Sequence, residues 1–304
     1  MKTLVLSPED LTHMSELSVG TSIIPIFLVI LFCLGLIIGS FLNVVIFRLP
    51  NQLYTRWRSE AEALLGTKKS TESNHTDTLV FPNSKCRDCS HPIKLRHNIP
   101  VISYLMLRGN CRYCSSKISL QYPIIEVITG IIFTLTIIQF GFSVGGLLAI
   151  IFSTGLIALA GIDFREKLLP DQITLPLMWI GLLANTQGIY VPIIESVIGA
   201  SAGYLVLWSI FWMFKLITGK DGMGYGDFKL TAALGAWLGW KVLPLIVLLS
   251  SGLGALVGIS AIILRLKSRD SQLPFGPFLA FSGWLVIIWG DTILLWYTSL
   301  FNSF

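Results

Sequence analysis

Two aspartates stand where a carboxylate is expensive. Asp163 directly follows the apolar run Leu156-Ile-Ala-Leu-Ala-Gly-Ile162, and Asp227 closes Gly222-Met-Gly-Tyr-Gly-Asp227 just ahead of another apolar run. Carboxylates at membrane depth carry a high desolvation cost and are functional candidates by default. Each alone also reads as a helix-end residue, Asp227 being a good N-terminal cap. As a pair they suit aspartyl protease chemistry. Two carboxylates sharing a site do not both ionise easily, so one holds a proton and the other does not. The ionised group takes a proton from water, and the protonated group donates to a scissile carbonyl. The pair titrates as a unit, and the sequence does not assign the shared proton. Glycines at 222, 224 and 226 are expected to let the backbone bend and approach a substrate closely.

A second constellation is made of sulfur. Cys86-Arg-Asp-Cys89 and Cys111-Arg-Tyr-Cys114 are two CxxC pairs with 21 residues between them, close to a four-cysteine zinc pattern. Two such knuckles offer four thiolates and complete a tetrahedral, closed site that braces structure and does not catalyse. A disulfide or redox-active pair is the alternative. His91 and His97 lie between the knuckles and read as surface residues, since four cysteines already suffice. The fifth cysteine, Cys33, reads as a small apolar packing residue in a hydrophobic run.

Other acidic residues are weaker candidates. Asp171, in Leu168-Leu-Pro-Asp171, reads as a turn or cap before an apolar run, with a catalytic role as the alternative. Asp221 reads as a solvated loop residue. Glu126 lies inside an apolar run near its start, where it either pairs with a loop arginine or serves a second site.

The elements that must position these groups are membrane helices. The chain is 53% hydrophobic and 13% charged, with mean hydropathy +0.73 over 304 residues. Soluble domains carry about twice that share of charge, so a bilayer is the expected solvent. Runs near 20 apolar residues occur at Ser22–Phe47, Ile124–Gly141, Gly145–Ile162, Ile173–Tyr190, Ile193–Leu216, Leu230–Trp240, Val242–Leu264 and Phe275–Leu295. The first is too long and starts too late for a cleaved signal peptide. Leu230–Trp240 is short and rich in alanine and glycine. Gly199, Ser201 and Gly203 suit close helix approach.

The expected fold is therefore an all-α integral membrane protein of about eight transmembrane helices, with residues 1–47 as the N-terminal segment and first span. Residues 48–122 form a zinc-binding loop domain and 123–304 the membrane domain that carries the aspartates. Charge sets the orientation. Of the 22 lysines and arginines, 12 fall in Arg48–Tyr122, two in Asp163–Gln172, three around Lys215–Lys229 and three in Arg265–Arg269. With eight spans these regions share one side, which the positive-inside rule makes cytoplasmic, with both termini outside. Only Lys2 and Lys241 fall opposite. A net charge of +5 distributed this way follows the membrane and gives no reason to expect a nucleic-acid partner.

At this point the motifs resemble those of the type IV prepilin peptidases, also called leader peptidase/N-methyltransferases, which are aspartyl proteases of the bacterial inner membrane. Gly39-Ser-Phe-Leu-Asn-Val-Val-Ile-Phe-Arg-Leu-Pro50 looks like the family's opening motif. The CxxC pairs look like its cytoplasmic zinc loop, Ile162-Asp163 through Asp171 like its first catalytic motif, and Gly224-Tyr-Gly-Asp227 like its GxGD motif. GxGD alone is shared with presenilin-like proteases; all four in order are specific.

The resemblance implies cleavage of the short basic leader of prepilins and type II secretion pseudopilins at the cytoplasmic face, with Asp163 and Asp227 as the catalytic pair. It also implies N-methylation of the new amino terminus with S-adenosylmethionine as donor. Gly109 matches a glycine linked to methyl transfer, and Glu126 is a further candidate for that site. No G-x-G-x-x-G fingerprint follows a strand pattern, so no motif locates the donor. Ser59–Asn83 is longer than the family pattern and is expected to be a flexible insertion. A transporter, the alternative reading of membrane carboxylates, would show repeated halves and helices broken at midplane, and a scaffold would need no dyad.

Overall fold

The computed structural model describes residues 8–66, 86, 88–93, 97–220, 223–265 and 273–302. Nine helices and no strands occur among them: α1 (Pro8–Leu64), α2 (Ile102–Met106), α3 (Gln121–Phe140), α4 (Val144–Glu166), α5 (Asp171–Thr186), α6 (Ile193–Thr218), α7 (Tyr225–Leu238), α8 (Leu243–Ile263) and α9 (Gly276–Asn302). Every expected apolar run falls on a helix. α1, α3, α4, α6 and α8 are long and apolar enough to cross a bilayer. α5 and α7, with 16 and 14 residues, are short by that standard.

The first helix does not stop at Phe47 but continues without a break to Leu64. The extension holds good helix formers and the i,i+4 pairs Arg56–Glu60 and Arg58–Glu62, at 2.8 and 3.1 Å. Pro50, inside the helix, has no N–H to give to Ile46. Next to it the Asn51 amide donates to the Phe47 carbonyl at 3.2 Å. The helix accounts for the first residues of the Ser59–Asn83 stretch; 67–83 lie outside the described residues, as do Asp221 and Gly222.

The chain divides into two compact units, one of Met1–Phe41 with Lys85–Ile138 and one of Leu42–Ser84 with Gln139–Phe304. In the first, α1 and α3 meet at glycines: a Cβ on Gly35 would stand 2.6 Å from the Gly130 Cα, and one on Gly39 2.7 Å from the Glu126 Cα. Such contact between backbones is how helices associate where apolar side chains gain nothing over lipid. Cys33, read above as a packing residue, is instead exposed on this part of α1.

The second unit is built around α7. From Leu230 to Leu238 every residue of this helix is buried, as befits a helix that is small or apolar all round. A 14-residue helix rises only about 21 Å, less than the apolar thickness of a bilayer, so the carbonyls at its buried C-terminal end need partners. The Asn185 amide supplies two, donating to the carbonyls of Ala236 and Trp237 at 2.9 and 3.1 Å. The Ser196 hydroxyl also donates to Ala236. The Asn185 oxygen in turn accepts from the N–H groups of Tyr190 and Val191. Trp237 fills the centre, its indole N–H donating to the Leu177 carbonyl at 2.7 Å and its ring 4.8 Å from that of Phe152.

α6 lies directly against α7 because both present small residues. A Cβ on Gly235 would collide with the Gly199 carbonyl, and one on Gly203 would stand 2.6 Å from the Thr231 carbonyl. Since the obstacle is backbone, Gly235→Ala should destabilise the protein by about 1–3 kcal/mol, the usual cost of overpacking. Thermal unfolding in detergent tests this; an unchanged midpoint would contradict the close approach.

Candidate active site

Asp163 occupies the last turn of α4, which ends when Lys167 turns left-handed (φ 53°) and returns its N–H to the Asp163 carbonyl at 2.9 Å. The carboxyl is buried, 6% exposed. Its Oδ2 accepts the backbone N–H of Gly276 at 2.9 Å. Gly276 is the first residue of α9, so the carboxylate meets the free N–H end of a helix, where negative charge is favoured. A Cβ there would stand 2.7 Å from the same oxygen, so any larger residue would have to displace the carboxylate. α4 is further tied to α1 by Arg165, whose guanidinium lies 3.9 Å over the Phe47 ring.

Asp227 is the third residue of α7 and is buried, 7% exposed. Its N–H returns to the Gly224 carbonyl at 3.2 Å, and its own carbonyl accepts from the Thr231 hydroxyl at 2.8 Å. The neighbouring glycines act differently from the expectation above. Gly224 has φ −83°, a conformation open to other residues. Gly226 is required by packing, since a Cβ would stand 2.8 Å from the Leu169 Cβ. Its close approach is to the turn after α4, not to open space.

Asp163 and Asp227 line one cavity of about 390 Å³, a size typical of ligand sites. Asp171 and Lys229 line it too. Lys229 Nζ donates to both Asp171 oxygens, at 2.7 and 2.8 Å. Asp171 opens α5 after Pro170, which agrees with its reading as a helix-start residue and adds a cation the sequence did not pair with it. This half-exposed ion pair contributes little stability, but it fixes charge at the rim of the cavity. Leu53 and Trp57, from the extension of α1, complete the wall.

The cysteines form a second centre, within the first unit. The Sγ atoms of Cys86, Cys89, Cys111 and Cys114 all lie within 4.8 Å of one another, and those of Cys86 and Cys114 are 3.8 Å apart. A disulfide would need about 2.05 Å. Sulfurs at about 2.3 Å from a tetrahedral metal stand about 3.8 Å from each other, so the donor set and spacing fit a bound metal. The two knuckles repeat one geometry. Ser90 and Ser115, each four residues after a first cysteine, have φ 57° and 58°. Their N–H groups return to the carbonyls of Cys86 and Cys111 at 3.0 and 2.9 Å. The thiols differ within the cluster: although the His91 backbone N–H favours its thiolate, burial and the neighbouring sulfurs push the Cys89 thiol up to about 12. Backbone N–H groups of Cys89 and Asp88 hold the Cys86 thiol down at about 6, and the Ser116 hydroxyl, 3.1 Å away, lowers that of Cys114. His91 stands outside this group, its ring stacked on Tyr113 at 3.6 Å.

Gly109 has φ 71°, and a Cβ there would stand 2.8 Å from the Tyr104 hydroxyl, so its turn into the second knuckle needs glycine. Glu126 is buried in α3, and its Oε2 accepts the Val101 N–H at 2.7 Å. That bond ties the membrane helix to a residue with φ 58°, an uncommon conformation for a β-branched side chain. Glu126, read above as pairing with a loop arginine or serving a second site, takes the Val101 backbone amide as a partner.

Comparison with known proteins gives these two centres a common context. A family profile described as Bacterial Peptidase A24 N-terminal domain matches residues 33–140, and one described as Type IV leader peptidase family matches residues 150–259. A prepilin leader peptidase/N-methyltransferase of Aeromonas salmonicida is 48% identical over 95% of this chain and 99% of its own length. The chain belongs to the type IV leader peptidase family. Proteins with the same name from Pseudomonas aeruginosa and Neisseria gonorrhoeae are 47% and 44% identical, each over 86% of this chain and covering 89% and 90% of their own lengths. No solved structure matches. Of the candidate residues, Asp163 and Asp227 fall in the leader peptidase match, and Gly109, Glu126 and the four cysteines fall in the N-terminal one.

The sequence reading passed over Lys229, Leu53 and Trp57, which line the cavity, and Gly276, which donates to Asp163. Lys229 stood two residues beyond Asp227. Gly276 was signalled by Pro274-Phe-Gly-Pro277, a rigid turn held between two prolines immediately before an apolar run.

Proposed function

We propose that this chain is a bifunctional membrane enzyme that removes the leader peptide of type IV prepilins and type II secretion pseudopilins, then methylates the new amino terminus. The observation that carries the peptidase half is that Asp163 and Asp227, from separate helices, are both buried and open into one cavity. In the proposed reaction the ionised carboxylate takes a proton from water as the water oxygen bonds to the scissile carbonyl carbon. The protonated partner donates to the carbonyl oxygen, giving a tetrahedral diol. Collapse breaks the C–N bond as one carboxyl gives its proton to the departing amine and the other takes the proton of a diol hydroxyl, which leaves a carboxylic acid and a singly protonated dyad. The Gly276 N–H fixes the Asp163 carboxylate during both steps.

Methyl transfer needs the freed amine to lose a proton and attack the methyl group of S-adenosylmethionine, releasing the thioether. Gly109 and Glu126 are the residues proposed to serve it, together with the loop domain 48–122. Zinc is the proposed metal of the four cysteines, where it braces that loop and takes no part in bond making. The membrane domain 123–304 carries the dyad. Both termini are placed in the periplasm and the dyad at the cytoplasmic face of the bacterial inner membrane, by the distribution of lysine and arginine across eight spans.

Mass spectrometry of a full-length prepilin incubated with the purified protein and S-adenosylmethionine tests both halves. The expected product lacks the leader and carries the mass of one added methyl group on its first residue. An uncut prepilin refutes the peptidase assignment, and a cut, unmethylated product refutes the transferase assignment.

A further inference from the structure

The cavity that holds the dyad has two kinds of wall. One is charged, made by Lys229 and its partner Asp171. The other is apolar and comes from an unexpected source, the extension of α1 past Phe47. Leu53 and Trp57 are one helical turn apart, hence on one face, and both line the cavity. Leu53 is 4% exposed and accounts for the packing of the extension. Trp57 packs edge-on to Tyr54 and keeps 45% of its surface open. What sets this half-open ring apart from the many exposed apolar side chains of the chain is its place on the wall of the cavity that holds Asp163 and Asp227. The aspartates perform the same chemistry on any peptide bond; what selects the bond must be a contact beside it.

We propose that Trp57 and Leu53 form a subsite for an apolar side chain flanking the scissile bond, so that α1 selects the peptide that α4 and α7 hydrolyse. This inference rests on the dyad reading above. The occupant is a side chain of the substrate, because the apolar wall is continuous with the cavity in which the carbonyl must meet Asp163 and Asp227. Lipid in the same place would leave substrate selectivity untouched.

The test uses the full-length enzyme in detergent with prepilin variants carrying Ala, Leu or Phe at each of the two residues flanking the scissile bond. In the native enzyme kcat/KM should rise about tenfold or more from Ala to Phe at one flank, and Trp57→Ala should shrink that ratio to about twofold while the Ala substrate changes by less than about threefold. Trp57→Phe should retain most of the preference. Leu53→Val provides a second reading of the ratio if Trp57→Ala does not fold. Arg58→Ala, on the exposed side and paired with Glu62, should change nothing. A native enzyme without preference, or a Trp57→Ala enzyme with an unchanged ratio at any overall rate, overturns the subsite. Cleavage by an Asp163→Asn enzyme would instead remove the dyad, so the two failures are distinct.

Discussion

Replacing either Asp163 or Asp227 by asparagine is expected to lower leader cleavage by about a thousandfold or more, within the range set by loss of acid–base catalysis. Asparagine keeps the shape of the side chain, and its carbonyl oxygen can still accept the Gly276 N–H that Asp163 accepts at 2.9 Å. The substitution therefore removes proton transfer and leaves packing nearly intact. Membrane insertion and the thermal midpoint should match the native protein, and single-turnover cleavage of a reconstituted prepilin measures the loss. Asp171→Asn is the informative contrast. Asp171 lines the same cavity but is half-exposed and paired with Lys229, so its loss should change cleavage by no more than about tenfold, in keeping with the small energies of exposed ion pairs. Methylation of a pilin supplied already cleaved should survive in the Asp163 and Asp227 variants. A variant of either residue that cuts at the native rate would refute the dyad, and equal losses at all three aspartates would point to charge in the cavity as the cause.

The paired aspartates of the cavity and the cysteine cluster were legible in the sequence because each announces itself locally. A carboxylate at the edge of an apolar run is conspicuous, and CxxC states its own geometry. The partners were harder to see because they come from far along the chain. Gly276 reaches Asp163 across 113 residues and Lys229 reaches Asp171 across 58. The eight apolar runs gave the helices, but hydropathy says nothing of where a helix stops once charged side chains pair along it, so the extension of α1 was read as loop. The short run Leu230–Trp240 posed the opposite problem. The run is short for a span, yet α7 is the most buried helix described, and Asn185 and Ser196 satisfy carbonyls in its last turn. Periodicity cannot reveal such a device, because the asparagine belongs to another helix. Gly226 shows a further limit: glycine beside a catalytic group suggests freedom, whereas here it serves contact with Leu169.

Removing the clustered cysteines should produce a different kind of damage. A serine hydroxyl is a far poorer metal ligand than a thiolate, and structural zinc contributes about 10–16 kcal/mol to the folding of small domains that lack a core. The knuckles have few other ties: around Cys86–Ser90 and Cys111–Ser116 these are short turn contacts, one isolated bridge between Asn110 and Lys117, the Cys86–Ser116 contact and the His91–Tyr113 stack. The double variant Cys86→Ser, Cys111→Ser takes one ligand from each knuckle. It should lose its equivalent of zinc by elemental analysis, and the amides of Ser90 and Ser115, which bond back to Cys86 and Cys111, should lose protection from hydrogen exchange. Extraction of the native protein with a strong chelator should reproduce both changes, and added zinc should reverse them. Methyl transfer is expected to fail with the loop, since Gly109 lies two residues before Cys111 and its φ of 71° belongs to the turn that leads into that knuckle. Cleavage should fall less, because Asp163 and Asp227 are set by α4, α7 and the start of α9. A protein with all four cysteines changed to serine that still carries equimolar zinc and protected knuckles would show that these residues do not hold the metal.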